Sequence, residues 1–235
     1  MVTAKTNMLR LCLAAMLLLA GVNAQADLQE AKAAYRNKDY NTALQQLKPL
    51  ADNGVAAAQF YMGLMYDTGA GVVQSYPQAI AWYRKAADQG YAPAQSNLAI
   101  IYETGGGVER NYKEAESWYR KAAEQGDAAA QFNLALMYDG GRGDDIPRNY
   151  PEAILWYTKA AEQGNAAAQD NLGRMYENGQ GVLRDLVQAD KWYALASAAG
   201  HETAADNRKA VETIMDADQI KQAHALVLEW KAKRK

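Results

Sequence analysis

The chain has 235 residues, with 25 Lys and Arg against 27 Asp and Glu and a formal charge of −2, an ordinary globular balance that argues against a nucleic-acid binder. Phe occurs twice, Pro five times, Cys once and His twice. This favours helix over sheet and excludes a fold built on several Cys or His metal ligands.

Residues 1–26 place Lys5 and Arg10 ahead of the apolar run Leu11–Ala20, followed by the small residues of Val22-Asn23-Ala24-Gln25-Ala26. That order predicts a cleavable secretory signal peptide, cut after Ala26 or, as second choice, after Ala24, and hence a periplasmic or secreted protein. The run is far shorter than the roughly 20 residues a spanning helix needs, so no integral membrane span is expected after cleavage. Cys12 leaves with it. The exported chain then has no thiol, which removes disulfides and thiolate chemistry, and 23 basic against 27 acidic residues remain.

Residues 27–54 read as an N-terminal capping hairpin, with Tyr40, Ala43, Leu44 and Leu47 on its second helix, Pro49 kinking the last turn, and Asn53-Gly54 closing it. Four similar units follow at 55–90, 91–126, 127–164 and 165–200; the third has two extra residues in the loop between Gly140 and Asn149. Ala58, Ala94, Ala130 and Ala168 each begin an Ala-Gln pair, with Tyr66, Tyr102, Tyr138 and Tyr176 eight residues later. Trp82-Tyr83, Trp118-Tyr119, Trp156-Tyr157 and Trp192-Tyr193 stand in the second half of each unit.

Each unit predicts two antiparallel helices. In the first, Ala58, Met62, Met65 and Tyr66 form the stripe of a helix buried on one side, and Gly69 and Gly71 end it. In the second, from about Pro77 to Gln89, Ala79, Trp82, Ala86 and Ala87 share a face, while Lys85 and Asp88 are spaced for an ion pair, as are Lys121 with Glu124 and Lys159 with Glu162. Gly90, Gly126, Gly164 and Gly200 suit the left-handed position after a helix. Residues 201–235 form the C-terminal cap: 201–215 replace a first helix, and Asp216-Ala217-Asp218-Gln219 opens a last helix bearing Ile220, Ala223, Val227 and Trp230 before the basic tail Lys231, Lys233, Arg234 and Lys235. The expected fold is all-α, about six helical hairpins, each touching only its neighbours.

The strings A-Q-F-Y-M-G-L-M-Y-D-T-G-A-G-V at Ala58–Val72 and A-I-A-W-Y-R-K-A-A-D-Q-G at Ala79–Gly90 resemble the Sel-one-like repeat, a relative of the tetratricopeptide repeat, and the likeness runs over about 55–200. It implies a right-handed α/α superhelical solenoid presenting a concave face to other proteins, often as an adaptor in signalling or in the bacterial envelope. Gly143-Asp144-Asp145-Ile146-Pro147 in the third unit and Leu186 in the fourth depart from the pattern. Some cysteine-rich secreted relatives have been regarded as penicillin-binding or penicillin-hydrolysing; this chain lacks their cysteines and any Ser-x-x-Lys pair.

Chemistry is scarce. His201 and His224 stand 23 residues apart without companions at ligand spacing and read as solvated or capping. The loops Gly69-Ala70-Gly71, Gly105-Gly106-Gly107 and Gly179-Gln180-Gly181 lack the Lys and Ser/Thr of a phosphate loop and recur as turns. No catalytic residue, metal or cofactor is expected. Two columns are open to two readings: Asp67, Glu103, Asp139 and Glu177 could rim a groove for a cationic ligand or bond neighbouring groups, and Asn97, Asn133 and Asn171 could grip a peptide or tie hairpins together. At first-helix positions that the repeat does not fix stand Phe60, Leu64, Ile100, Phe132 and Leu136, turning polar at Asp170 and Arg174. These either form an apolar strip on the concave wall or pack between first helices. The expectation is a non-catalytic scaffold for a protein or peptide. The alternative is a cell-wall glycan module or an envelope enzyme.

Overall fold

The computed structural model describes residues 25–234, so the predicted signal segment lies outside the described residues except for Gln25 and Ala26, which stand in the first helix. Twelve helices occur among the described residues: α1 (25–36), α2 (Tyr40–Asp52), α3 (Ala56–Thr68), α4 (Tyr76–Asp88), α5 (Ala92–Thr104), α6 (Tyr112–Glu124), α7 (Ala128–Gly140), α8 (Tyr150–Glu162), α9 (Ala166–Asn178), α10 (Leu186–Ala198), α11 (Glu202–Glu212) and α12 (Ala217–Ala232). No strand occurs among them. The fold is an all-α helical repeat of the tetratricopeptide kind. Its contacts divide into two compact units, one of the described residues through Leu98 with Gly106–Val108, the other of Ala99–Gly105 and everything from Glu109.

Helix starts and stops follow from side chains that satisfy free backbone groups. Asn111, Asn149 and Asp185 accept the backbone N–H of Glu114, Glu152 and Gln188 at the starts of α6, α8 and α10. At its end α8 gives way to Gly164, whose φ of +94° suits a residue without Cβ. The α12 start is the predicted capping box, with Asp216 and Gln219 each accepting the other's backbone N–H. Pro49 lies inside α2, as expected.

In the first unit Leu28, Ala31, Ala43, Leu47, Ala58, Met62 and Met65 form one core, with Tyr35, Tyr40, Tyr61 and Trp82 packed against it. Tyr83, rather than the predicted Trp82, is the fully buried aromatic of α4. In the second unit Trp118-Tyr119, Trp156-Tyr157 and Trp192-Tyr193 are all buried. The expected Lys–acid pairs of the second helices give way to another contact. Lys85, Lys121 and Lys159 lie over the rings of Trp82, Trp118 and Trp156 at 4.1, 3.8 and 4.3 Å, where the stem covers apolar surface and the charge meets the π face.

The buried Gln of each Ala-Gln pair acts as a clip. Gln59, Gln95, Gln131 and Gln169 donate Nε2 at 3.0–3.1 Å to the carbonyls of Ala51, Ala87, Ala123 and Ala161 near the ends of the preceding helices, each of which also accepts from the backbone N–H of Gly54, Gly90, Gly126 or Gly164. The C-terminal end breaks the pattern. Helix α12 packs along α10, and Arg234 donates to the carbonyls of Glu162 and Gln163 at the end of α8 while stacking 4.5 Å from the Trp230 ring. The basic tail is thus docked through Arg234, because a helix C-terminus offers carbonyls and negative potential to a guanidinium.

Candidate functional site

The residues singled out on the first helices fall into both units. In the first, α3 carries Phe60, Leu64 and Asp67, all half-buried. The Phe60 ring lies 5.4 Å from Tyr91, 5.5 Å from Tyr61 and 5.8 Å from Tyr83. Asp67 Oδ2 accepts from the Tyr83 hydroxyl at 3.2 Å, and the Asn97 side chain bonds the same hydroxyl.

In the second unit Ile100 is 41 % exposed, Leu136 is half-buried, and Phe132, also half-buried, lies 6.0 Å from the Tyr157 ring. Glu103 accepts from Tyr119 at 2.9 Å and from Arg142 at 2.8 Å. Asp139 accepts from Tyr157 at 3.3 Å and from Arg174 at 2.5 Å, and Glu177 accepts from Tyr193 at 2.7 Å. Asn133 bonds the Tyr119 hydroxyl, and Asn171 is half-buried on α9. Asp170 accepts from Asn207 at 3.0 Å.

Each carboxylate of the column therefore holds the buried tyrosine of its own hairpin. Burial, reinforced by the carboxylate, pushes the hydroxyls of Tyr83, Tyr119, Tyr157 and Tyr193 well above the ordinary tyrosine range. The half-buried rings of Phe60 and Phe132 pack on Tyr83 and Tyr157, whereas Ile100 is exposed. The loop of the third repeat, which departs from the repeat pattern, reaches back to the second repeat: Ile146 is buried, Arg142 reaches Glu103 and Asp145 pairs with Lys113 at 3.3 Å.

A polar cluster that the sequence reading did not assemble lies among α10, α11 and α12. Arg208 donates Nε to Oδ1 of the fully buried Asp190 at 2.8 Å, and Nη2 to Glu212 at 2.9 Å and His224 Nε2 at 2.7 Å. The acceptor atoms of Asp190, Glu212 and His224 lie within 4.8 Å of one another, a metal-like donor set whose central cation is the guanidinium. Glu212 follows Arg208 at helical i+4 spacing, a legible pair, whereas only tertiary packing brings in Asp190 and His224.

The Sel1 repeat family model matches residues 56–91, 92–127, 128–165 and 166–201, well over half of the chain. The chain belongs to the Sel1 repeat family. Sel1 repeat proteins are generally protein-interaction scaffolds. Among solved structures the chain is similar to a Sel1 repeat protein from Oxalobacter formigenes, with 34 % identity and a TM-score of 0.74 over 87 % of this chain and 80 % of that one. It is also similar to c5321, a protective antigen of uropathogenic Escherichia coli with the same repeat fold, at 31 % identity and a TM-score of 0.55; 88 % of this chain spans 53 % of that one. The immunity protein Pa5087 of Pseudomonas aeruginosa shares the fold at 20 % identity, a TM-score of 0.52, and coverage of 89 % of this chain and 83 % of that one. No sequence among the curated proteins matches. Among the described residues of this Sel1 repeat protein no helix is long and apolar enough to cross a membrane.

Proposed function

We propose that this Sel1 repeat protein is an exported, non-catalytic scaffold that holds a protein or peptide on the first-helix face, with 27–54 and 201–235 capping repeats 55–90, 91–126, 127–164 and 165–200. The supporting observation is that these apolar side chains keep solvent-facing surface: Ile100 is exposed, Phe132 and Leu136 in the same unit are half-buried, and so are Phe60 and Leu64 in the other. The carboxylates, with Asn97 and Asn133, bond the buried tyrosines, and Arg174, paired with Asp139, brings charge to the fourth repeat. The order of Lys5, Arg10, apolar run and small residues supports export. Sugar stacking is the weaker use of this surface, since Trp118, Trp156 and Trp192 are buried.

The test is capture from envelope extract by immobilised wild-type protein and by Ile100→Asp and Leu136→Asp variants, with purified peptidoglycan as a parallel bait. A protein retained by wild type and lost by both variants at unchanged melting temperature supports the reading. Retention by both variants, or binding of peptidoglycan alone, overturns it. Intact-mass measurement of the native protein should show a chain beginning at Asp27 or Gln25; retention of Met1 overturns the export assignment.

A further inference from the structure

The fourth repeat lacks an amide contact that the first and third repeats make. Gln59 Oε1 accepts Gln89 Nε2 at 2.7 Å, and Gln131 Oε1 accepts Gln163 Nε2 at 2.8 Å, so both ends of these buried amides are satisfied. The corresponding position after α10 is Ala199, with a cap backbone (φ −87°, ψ 4°) like that of Gln89 (φ −83°, ψ 2°) but no amide to offer. Gln169 is 1 % exposed, and its Oε1 has no hydrogen-bond partner among the described residues. A buried carbonyl left so is costly, and a donor N–H is what its surroundings supply elsewhere in the chain.

A hollow of about 270 Å³ lies beside it, walled by Gly164, Gln169, Leu195, Ala199, Trp230 and Lys231. It shares Ala198 and Lys231 with a second hollow of about 430 Å³ between α10 and α12, whose apolar wall is Ala194, Val227 and Leu228. That is the size of an ordinary small-ligand site. Arg208 and His224 edge the second hollow, but the guanidinium is already matched by Asp190 and Glu212. The Lys231 ammonium has no partner among the described residues. A buried acceptor without its donor, an exposed cation and an apolar wall therefore sit together.

We infer that the trough between α10 and α12 binds the carboxy-terminal end of a peptide whose last residue is aliphatic. Its last backbone N–H meets Gln169 Oε1, its carboxylate meets Lys231 Nζ, and its side chain lies on Ala194, Val227 and Leu228. Trp230 and the Lys231 stem lift to admit it. Helix α12 permits this, because Ala223 is its only buried residue and Leu228 is 68 % exposed. This site is separate from the first-helix strip and stands whether or not that strip binds a partner.

The experiment is calorimetric titration of the whole protein with the tetrapeptide acetyl-Gly-Gly-Ala-Leu as the free acid and as its carboxamide. The free acid should bind, and the carboxamide at least about tenfold more weakly. Lys231→Ala should weaken binding of the acid by about tenfold or more, and Lys231→Arg should restore it, both at unchanged melting temperature. Ala199→Gln, which returns the missing amide and fills the hollow, should abolish binding while keeping or raising the melting temperature. Equal binding of acid and carboxamide, undiminished binding to Ala199→Gln, or no binding of the acid at millimolar concentration overturns the inference.

Discussion

The hydroxyl of Tyr193, 1 % exposed, donates a 2.7 Å hydrogen bond to Glu177, sixteen residues earlier in the partner helix of its hairpin. Tyr83 with Asp67, Tyr119 with Glu103 and Tyr157 with Asp139 repeat the relationship. A carboxylate near a helix C-terminus works against the dipole, and a buried phenol needs an acceptor; the two requirements meet in one bond. Tyr193→Phe should cost about 1.5–3 kcal/mol, the range for hydrogen bonds to charged groups. Urea unfolding checks it, and a loss under about 0.5 kcal/mol, as for an ordinary surface change, would mean that the bond is dispensable.

Alkaline pH follows from the same bonds. Folding raises the tyrosine hydroxyl pKa above its ordinary value of 10.0. The folded state therefore holds protons that the unfolded chain releases first. The stabilisation is complete below pH about 10 and is lost as pH rises beyond it, steepening by about 1.4 kcal/mol per pH unit for each such tyrosine. Helical circular dichroism against pH should stay level to about 10 and then fall, with part of the tyrosinate absorbance appearing only as the helix signal is lost.

Glycine at two first-helix positions has a packing cause. A Cβ on Gly63 would lie 2.5 Å from the Tyr83 ring, and one on Gly173 would lie 2.8 Å from the Tyr193 ring. Gly63→Ala and Gly173→Ala should each destabilise by about 1–3 kcal/mol through overpacking, against a helix-propensity gain of about 0.5–1 kcal/mol. Thermal melts showing either variant more stable than wild type would refute the close packing.

Hairpins and loop glycines were legible because each depends on local spacing repeated four times. The tyrosine–carboxylate bonds were half legible: the acid column and the Trp-Tyr column were both visible, but sixteen or, in the third repeat, eighteen residues separate each acid from its tyrosine and only the hairpin closes that distance. Lys85 stands three residues after Trp82 and three before Asp88, so spacing alone could not choose between ring and carboxylate. The docking of Arg234 on α8 was not legible, because a contact spanning 72 residues leaves no periodic trace.

The glutamine clips allow a comparison within one molecule. Gln131 is satisfied at both ends, by Ala123 and Gln163, whereas Gln169 is satisfied at one. Gln131→Leu should therefore cost more than Gln169→Leu by about 1 kcal/mol, one net hydrogen bond. Paired denaturant curves decide it; equal losses would mean that the partner amide contributes nothing.

The last prediction concerns metal. Asp190, Glu212 and His224 present oxygen and nitrogen acceptors within 4.8 Å, a donor set suited to zinc. Arg208 donates to all three, and its bond to Nε2 requires the neutral imidazole with its proton on Nδ1. With a guanidinium already central, neither chelator nor added zinc should move the melting temperature of the wild type. Arg208→Ala removes that cation and leaves Asp190, 0 % exposed, as an uncompensated carboxylate, at a cost of about 3–5 kcal/mol. Zinc should then recover part of the lost melting temperature in Arg208→Ala but not in Arg208→Ala/His224→Ala. A rise in the wild type on adding zinc would show that the metal displaces the arginine, and no rise in Arg208→Ala would show that the three acceptors are held together only by the guanidinium they share.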